Sequence, residues 1–312
     1  MITAKKIDFS LFKSSNLVVL FVLLFCVLES ESQMINNQAG EVFSDDPFFN
    51  TKFILSNNLK SLNGVISSKK ELGAIQSSRL VQGYKYNSNG QMSCQYSSKL
   101  QNRKRDTSFT YYKYNNDGRL ILKRISDSYG FYSYAYEYDS LGQMSKNTFS
   151  REKNIGNSKS NFKLGKQYVI FSETYKYKKT DSSVVKIIWN NNQRPYQKNT
   201  YKYDSLGYLK EEKTQLLINN KIHLTRYYYN EKGGLKKVES FKQKSNEPYK
   251  TMKYQYDDWG NITYLDEYKD GVQVIHKEIL YDQSTLVLKT ILSQDLVSNL
   301  ITIIKFKPKF YN

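Results

Sequence analysis

A nine-residue pattern that recurs along the chain constrains its fold more than any other feature of the sequence. The pattern reads Tyr-x-Tyr, then Asp or Asn, two variable residues, Gly, one variable residue, and Leu, Met or Ile. Clear copies occupy Tyr84–Met92, Tyr112–Leu120, Tyr136–Met144, Tyr201–Leu209, Tyr227–Leu235 and Tyr254–Ile262. A degraded copy lies at Tyr175–Val184, inside the one long gap between copies. Repetition of this kind predicts a tandem array of one supersecondary unit.

Each copy has the chemistry of a β-hairpin tip. Two tyrosines separated by one residue fall on the same face of a strand, because strand side chains alternate. The Asp or Asn suits the first position of a type I turn, and the glycine suits the left-handed position of a G1 bulge. We therefore predict a structural role in the turns for three residues of each copy: Tyr86, Asn87 and Gly90; Tyr114, Asn115 and Gly118; Tyr138, Asp139 and Gly142; Tyr203, Asp204 and Gly207; Tyr229, Asn230 and Gly233; Tyr256, Asp257 and Gly260.

The rest of each period supplies the return connection. Leu209–Tyr227, for example, contains a plausible turn at Asn219-Asn220-Lys221 between two strands. The sequence therefore predicts an all-β fold, an antiparallel meander of about fourteen strands. The Tyr-Asp tips should lie at one edge, and turns of variable length and charge at the other, including Lys99–Asp106 and a polar insertion over Ser150–Gln167.

A sheet this wide must bury its tyrosine-rich face. Because wide sheets twist and curl, we expect a curled or spiralling sheet, either a partial spiral or an open barrel. The alternative cover is the segment Gln33–Leu80, whose apolar residues include Phe48, Phe49 and Phe53. We divide the chain into a signal peptide (1–32), an N-terminal segment and cap (33–83), the repeat array (84–297) and a C-terminal strand (298–312).

The N-terminus has the pattern of a secretory signal peptide. Three lysines precede the unbroken apolar run Leu17–Leu28, which as a helix would span about 18 Å, short of the roughly 30 Å hydrocarbon core. Small residues follow, so we predict cleavage before Gln33 and an exported protein that is secreted, periplasmic or surface-associated. An uncleaved anchor is the alternative. We expect no lipid anchor at Cys26, because the bulky Phe25 precedes it. Cleavage would leave Cys94 without a disulfide partner.

The repeated segments resemble those of the YD-repeat, or RHS-repeat, family. The resemblance rests on Tyr114–Leu120, Tyr138–Gly142 and Tyr203–Gly207, and the repeats cover residues 84–285. It implies a β-sheet strip that winds into a shell, which encloses a toxic domain in some members and belongs to cell-surface proteins in others. This chain has about seven copies where shell-forming members have dozens, and Ser298–Asn312 reads as a final strand. Encapsulation and toxicity are therefore not carried over.

The formal net charge of +18 favours association with anionic surfaces. We expect an anionic glycan or another envelope component as the partner, and not nucleic acid; a solvated basic face without a ligand is the alternative. The candidate ligand-facing residues are lysines at the variable position of the pattern and a basic run in a predicted turn: Lys85, Lys113, Lys202, Arg103, Lys104 and Arg105. The oligomeric state is left open by the sequence.

No pattern typical of catalysis occurs in the sequence. His223 and His276 are the only histidines, and neither stands at metal-ligand spacing from a second type of ligand. Turn capping explains the recurring Asp139, Asp204 and Asp257. We expect a non-enzymatic protein without a cofactor or metal.

Two functions are compatible with these observations. The first is an exported scaffold or binding protein that engages a cell-surface or anionic polysaccharide. The second is a structural shell element, or an accessory, of an RHS-type toxin or surface system. The tyrosines could stack on ligand rings or hold the sheet together. Their recurrence at a constant position beside the turn favours the structural interpretation.

Overall fold

The computed structural model describes residues 33–312, which form one closed antiparallel sheet and one short helix. The helix, α1, spans Thr51–Ser56. The strands are β1 (Leu59–Lys70), β2 (Gln76–Tyr86), β3 (Met92–Gln101), β4 (Lys104–Tyr114), β5 (Leu120–Ser126), β6 (Gly130–Tyr138), β7 (Met144–Asn154), β8 (Leu164–Lys179), β9 (Ser183–Trp189), β10 (Pro195–Tyr203), β11 (Leu209–Leu216), β12 (Ile222–Tyr229), β13 (Leu235–Phe241), β14 (Lys250–Tyr256), β15 (Ile262–Lys269), β16 (Val272–Tyr281), β17 (Leu288–Asp295) and β18 (Leu300–Phe310).

Strand β1 closes the ring into an eighteen-stranded barrel. Each strand pairs with the next along the chain, and β1 pairs with both β2 and β18, so that Leu62 lies opposite Tyr84 on one side and Pro308 on the other. The predicted all-β antiparallel meander is confirmed, whereas the predicted open, curled sheet is wrong. Closure pairs backbone groups that two free edges would expose. The repeat pattern could not reveal it, because β1 and β18 carry no copy.

The predicted segments fall on the structure as follows. The predicted signal peptide, 1–32, lies outside the described residues. Strand β1 and most of β2 fall in the segment 33–83, and β18 falls in 298–312. Within the part of the chain that the structure describes, no helix has the length and apolar character needed to cross a membrane.

The connections are sorted between the two rims of the barrel. Those that follow even-numbered strands form the tip rim and include every clear copy of the pattern, and those that follow odd-numbered strands form the variable rim. At one tip the Gly90 amide donates to the Asn87 carbonyl at 3.0 Å, and the Asn87 amide donates to the Gln91 carbonyl at 2.9 Å. Gly90 has a φ of +76°, and the register shifts beside Tyr86. These are the features of a type I turn closed by a G1 bulge.

Alternation along the strands separates inward from outward side chains. On β2, Tyr84 and Tyr86 are buried, and Lys85 between them is exposed. Residues that lie opposite each other on neighbouring strands share a face. Leu62 therefore faces inward with Tyr84, and Ser61 faces outward with Lys85. Applied around the ring, the register places both tyrosines of every clear copy inside the barrel.

Residues 33–58, which we call the plug, fill part of the interior near the tip rim. The Phe49 ring lies 4.9 Å from the ring of Tyr84 and 5.3 Å from that of Tyr86. Met34 and Ile54 are fully buried in the same cluster. A cover drawn from the N-terminal segment, the alternative considered from sequence, is thus realised inside the closed ring.

Half of the predicted polar insertion, Ser150–Gln167, is strand, since β7 covers 150–154 and β8 covers 164–167. Its loop, 155–163, folds onto the outer wall. Phe162 in this loop packs 4.7 Å from Phe131 and 5.1 Å from Tyr111, measured between ring centroids. The insertion therefore makes the variable rim uneven in height.

Candidate functional site in the barrel interior

The interior of the barrel differs between two walls. The plugged wall comprises β12–β18 and β1–β5, whose inward side chains join the plug in a buried hydrophobic cluster. The open wall comprises β6–β11, and none of its described residues belongs to that cluster. Inward tyrosines of the open wall, such as Tyr175 and Tyr201, are partly exposed, whereas Tyr84 of the plugged wall is buried. The open wall therefore keeps an interior surface in contact with solvent.

Glu173 on β8 organises one polar cluster of the open wall. One carboxylate oxygen accepts the hydroxyl of Tyr175 at 2.9 Å, and the other accepts the hydroxyl of Tyr196. The Lys186 ammonium lies 3.9 Å from the centroid of the Tyr175 ring. The pairing of β8 with β9 and of β9 with β10 brings these residues together. The result is a carboxylate, an ammonium group and two phenols that face the same space.

Glu212 on β11 organises a second cluster beside the first. The register places it opposite Tyr201 on β10. The Asn199 amide donates to the Tyr201 hydroxyl oxygen at 3.2 Å and to a Glu212 carboxylate oxygen at 3.4 Å. The hydroxyl of Tyr227 donates to the other carboxylate oxygen at 3.3 Å. This cluster adds a second carboxylate and an amide.

The plug carries charged side chains near the two borders of the open wall. The Asp46 carboxylate lies 2.6 Å from the Lys123 ammonium. The pKa of Glu41 is raised, first by burial and then by the Asp46 and Glu212 carboxylates, while Lys123 acts in the opposite direction. Because Glu212 influences Glu41, the plug and the second cluster face the same part of the interior.

Burial and neighbouring charged groups together set the protonation states of the side chains on this surface. Burial lowers the pKa of the Lys186 ammonium, and the Glu173 and Glu212 carboxylates act in the opposite direction. Burial raises the pKa of Tyr201 to about 12. Its hydroxyl therefore keeps its proton at neutral pH and serves as a neutral donor and acceptor of hydrogen bonds.

The open-wall surface, as we define it, consists of Glu173, Tyr175, Lys186, Tyr196, Asn199, Tyr201 and Glu212, and Tyr227 of the plugged wall borders it. It combines aromatic rings with hydroxyl, carboxylate and amide groups. Aromatic faces pack on apolar C–H groups, and the polar atoms hydrogen-bond hydroxyl groups. Since two carboxylates stand against one ammonium group, the surface suits a neutral, hydroxyl-rich ligand better than an anion.

The second tyrosine of the pattern has a structural role. In four of the six clear copies its hydroxyl donates to the backbone carbonyl of the apolar residue that ends an earlier copy. This bond joins Tyr114 to Met92 at 2.8 Å, Tyr138 to Leu120 at 2.7 Å, Tyr229 to Leu209 at 2.8 Å and Tyr256 to Leu235 at 2.7 Å. A phenylalanine could not form it. These tyrosines therefore connect one copy to the next.

The residues predicted to face a ligand lie at separate places. Lys85, Lys113 and Lys202 are exposed on the outer wall near the tip rim, and Lys202 pairs with Glu211 at 2.9 Å. The basic run Arg103–Arg105 lies at the opposite, variable rim. The structure does not bring these six residues together, so they do not form one site.

Outward lysines of neighbouring strands form a basic strip. It includes Lys85, one of the six residues predicted to face a ligand. Lys305, Lys307 and Lys309 alternate along β18 with exposed side chains. Lys85 lies across β1 from Lys309, since both are opposite Ser61. Among residues 33–312, none of these four lysines has a carboxylate at salt-bridge distance. The strip is therefore an uncompensated positive surface.

The two histidines lie on opposite faces of the sheet. His223 on β12 faces inward, opposite Thr214. His276 on β16 faces outward, where its Nδ1 lies 2.6 Å from a carboxylate oxygen of Asp266. In the described part of the chain, no three His, Cys, Asp or Glu side chains are grouped in a way that could hold a metal ion.

Sequence reasoning considered the pattern tyrosines of the open-wall surface, such as Tyr201, as possible ligand contacts, but it did not single out the polar residues beside them. Glu173, Lys186, Asn199 and Glu212 lie between copies of the pattern, where residues vary. The available signal was alternation along each strand, and it requires the register. Once Glu212 is known to lie opposite Tyr201, its inward direction follows.

Comparisons with known proteins give no family. No family model matches the chain, and no curated protein matches it. Among solved structures, the chain is similar to a porin-like protein from Bacteroides uniformis, with 10% identity, a TM-score of 0.38, and 80% of this chain and 98% of that chain covered. It is also similar to a porin-like protein from Bacteroides vulgatus, with 12% identity, a TM-score of 0.29, and 67% of this chain and 95% of that chain covered.

The chain is also similar to TcdB2-TccC3-TEV, with 12% identity, a TM-score of 0.29, and 77% of this chain and 14% of that chain covered. Similarities this low carry no inference about function.

Proposed function

We propose that this protein is an exported, non-enzymatic binding scaffold that holds a neutral, hydroxyl-rich ligand, such as a segment of an oligosaccharide, against the open-wall surface. The main support for the proposal is the asymmetry of the interior. The plug packs against one wall, and polar and aromatic side chains of the other wall remain in contact with solvent. Ligand sites are common in the mouths of barrels. Export follows from the signal-peptide pattern of residues 1–32.

The chemistry of a sugar matches this surface in two respects. A sugar ring has C–H faces that pack on aromatic rings, as those of Tyr175 and Tyr201 can provide. Its hydroxyl groups both donate and accept hydrogen bonds, as the Tyr201 hydroxyl and the Glu173 and Glu212 carboxylates require. The hydrogen bonds within the two clusters hold these groups in place before a ligand binds, which lowers the entropy cost of binding.

The outer wall supports a scaffold whose exterior is in water. Outward positions along the strands carry charged side chains, including Lys113 on β4, Arg226 on β12 and Lys253 on β14, all of them exposed. A wall in contact with lipid tails would require apolar side chains at such positions. We therefore place the outer wall in an aqueous compartment of the envelope or outside the cell.

Isothermal titration calorimetry with a panel of neutral oligosaccharides tests the proposal. We expect a member of the panel to bind and Tyr201→Phe, which removes one hydroxyl and keeps the ring, to weaken binding about fivefold to tenfold. Glu212→Gln should weaken it to a similar extent. Tyr138→Phe is the matched control, because it removes a hydroxyl that connects two copies, and it should leave the affinity unchanged. Absence of binding by every neutral oligosaccharide would overturn the proposal.

A second candidate function rests on the basic strip. Because its lysines have no acidic partners in the described residues, we propose that Lys305, Lys307 and Lys309 attract an anionic polysaccharide to the outer wall. Retention on a polyuronate matrix should fall with salt and should fall further in the variant Lys307→Glu/Lys309→Glu. Retention that depends on neither salt nor these lysines would contradict this function.

The alternative function of a shell element is less favoured. The ring is closed, and the plug already occupies part of its interior. A second folded domain would have to share that interior with the plug.

A further inference from the structure

Strand β8 is longer than the strand beside it. It spans sixteen residues, Leu164–Lys179, but β9 pairs only with its last part, Thr174–Lys179. Residues 164–173, which we call the free edge, pair with β7 on one side. On the other side they pair with no strand among the described residues. The closed ring therefore leaves this stretch of backbone unpaired on one side at the variable rim.

The free edge is apolar and exposed. Tyr168, Val169 and Ile170 have relative exposures of 51%, 65% and 49%. Proteins usually shield such an edge with charges or proline, since unpaired N–H and C=O groups beside apolar side chains recruit another strand. Residues 164–173 contain no proline, and Lys166 and Glu173 near their two ends are their charged residues. The edge therefore has the properties of a site for strand addition.

The sequence of the free edge is complementary to itself. From Lys166 to Glu173 it reads Lys-Gln-Tyr-Val-Ile-Phe-Ser-Glu. Read inward from its two ends, the segment pairs residues of complementary or similar chemistry. A cation meets an anion (Lys166 and Glu173), and the polar Gln167 meets Ser172. The aromatic Tyr168 meets Phe171, and the β-branched Val169 meets Ile170. Antiparallel pairing of Lys166–Glu173 in two copies, about an axis between Val169 and Ile170, would bring all four matches into register. Leu164 and Gly165 must leave the joined sheet, because Thr174 and Tyr175 opposite them already pair with β9.

A β-bulge makes this pairing geometrically consistent. Residues opposite each other in an antiparallel pair must share a face of the sheet. Tyr168 lies opposite Arg151 and Phe171 opposite Phe149, two residues apart on β7, because Ile170 is the extra residue of the bulge. Tyr168 and Phe171 therefore share the inner face, although three positions separate them. Without the bulge they would lie on opposite faces.

The two charged residues share that face as well. The Lys166 ammonium lies 4.9 Å from the centroid of the Tyr168 ring. Glu173 lies opposite Asn147, two residues from Phe149 on β7. In the two-fold arrangement each Lys166 would therefore meet the Glu173 of the other copy on the same side of the joined sheet, and each Tyr168 would meet a Phe171.

We propose that two copies of this chain associate through their free edges, so that β8 of one barrel pairs antiparallel with β8 of the other. The complementary order of charges argues for a second copy over an unrelated strand, which would have no reason to place an anion opposite Lys166 and a cation opposite Glu173. The interaction adds to the proposed ligand binding and does not depend on it, although the two share Glu173, whose carboxylate also accepts the hydroxyls of Tyr175 and Tyr196.

Sedimentation equilibrium of the full chain, combined with amide hydrogen exchange, tests the proposal. We expect a monomer–dimer equilibrium. Amides of residues 164–173 should exchange more slowly as the concentration of protein rises, whereas amides at the tip rim should not change. A chain that remains monomeric at the highest soluble concentration would overturn the proposal, as would a dimer whose 164–173 amides show no protection.

Substitutions at the free edge separate this arrangement from other contacts. Lys166→Glu places like charges opposite each other twice in the dimer and should weaken association at least about tenfold, while Lys166→Arg should not. Val169→Lys should also weaken it at least about tenfold. The matched control is Leu141→Lys, at an exposed apolar residue of the tip rim, which should leave association unchanged. Equal association of Lys166→Glu and the unmodified chain would refute the pairing. Because Lys166 is exposed, its substitution should not affect folding.

Discussion

Tyr254 on the plugged wall and Tyr201 on the open wall occupy the same position of the repeat pattern. Tyr254 is buried, and its hydroxyl donates to the Gly40 carbonyl of the plug at 3.1 Å. Tyr201 is partly exposed, and its hydroxyl accepts the Asn199 amide at 3.2 Å. The same residue in the same local conformation seals one half of the barrel and lines a polar surface in the other. Position in the repeat sets the direction of a side chain, and the plug sets its environment.

The two walls should also differ in stability. The plugged wall buries a continuous set of apolar side chains from the plug and the sheet, and burial of apolar surface is the main favourable term in folding. The open wall relies on backbone pairing and on polar contacts that water can replace. We therefore expect equivalent substitutions to cost more on the plugged side, and the following predictions compare matched positions.

The largest difference should come from truncating an aromatic ring on each side. Phe49 is buried between Tyr84 and Tyr86, so Phe49→Ala should lower the free energy of unfolding by about 3 to 5 kcal/mol. Phe149 on the open wall packs 4.8 Å from Tyr134 but is partly exposed, and Phe149→Ala should cost about 1 to 2 kcal/mol. Urea denaturation of both variants measures the difference. Equal losses would show that the plug does not concentrate stability.

A second comparison uses two glycines of the pattern. Gly90 and Gly207 have φ values of +76° and +86°, which disfavour any side chain. A Cβ at Gly90 would also overlap the Thr51 carbonyl and the Leu55 amide of the plug, whereas a Cβ at Gly207 meets nothing within 4 Å. We expect Gly207→Ala to cost about 1 kcal/mol and Gly90→Ala at least about 2 kcal/mol more. Thermal and urea unfolding check this, and a Gly207→Ala variant as unstable as Gly90→Ala would contradict it.

A smaller difference is expected for the tyrosines that connect copies. Tyr256 donates to the Leu235 carbonyl at 2.7 Å and also accepts the amide of Asn37 in the plug at 3.0 Å. Tyr138 makes the first kind of bond only, to Leu120 at 2.7 Å. Tyr256→Phe should therefore lower the free energy of unfolding by about 2 kcal/mol and Tyr138→Phe by about 1 kcal/mol. Urea unfolding is the measurement, and the reverse order would exclude this role of the plug.

The smallest predicted effect is a loss of stability at alkaline pH, caused by the buried tyrosines of the plugged wall. It is absent at neutral pH. Burial raises the pKa of Tyr84 to about 12, and that of Tyr256 to about 12, where the Asn37 hydrogen bond acts in the opposite direction. An unfolded tyrosine has a pKa of about 10. Below that pH both states are protonated and stability is complete. Above it the unfolded chain loses protons first, so stability falls as pH rises from about 10 through about 12.

Tyr84→Phe tests this pH dependence. Unfolding in urea at a series of pH values should show a shallower alkaline loss in the variant than in the unmodified chain. Between about pH 7 and 9 the slope with pH should be the same for both. A loss that begins well below pH 10 would point to other groups.

Much of the local structure could be read from the sequence. The Asp204 and Gly207 pattern predicts a turn, and the structure shows the Gly207 amide donating to the Asp204 carbonyl at 3.1 Å. The Tyr-x-Tyr alternation predicts one tyrosine-bearing face, which is the barrel interior. These predictions succeed because turn chemistry and strand alternation act over a few residues.

The candidate site could not be read in the same way. Glu173 and Glu212 belong to variable stretches, and nothing in their own neighbourhood marks them as inward. Their assignment depends on register, which a shift of one residue reverses. The free edge of β8 likewise depends on where β9 stops. Lys85, singled out from the pattern, lies on the outer wall and shares no surface with Glu212.

The sequence alone determined a meander of hairpins with their tips at one end, because the signals for turns and strands are local. Closure of the ring, entry of the plug and the division into two walls were decided by the tertiary structure. They depend on contacts such as those of Leu62 with Pro308 and of Phe49 with Tyr86. Residues so far apart in the chain share no local pattern from which their contact could be predicted.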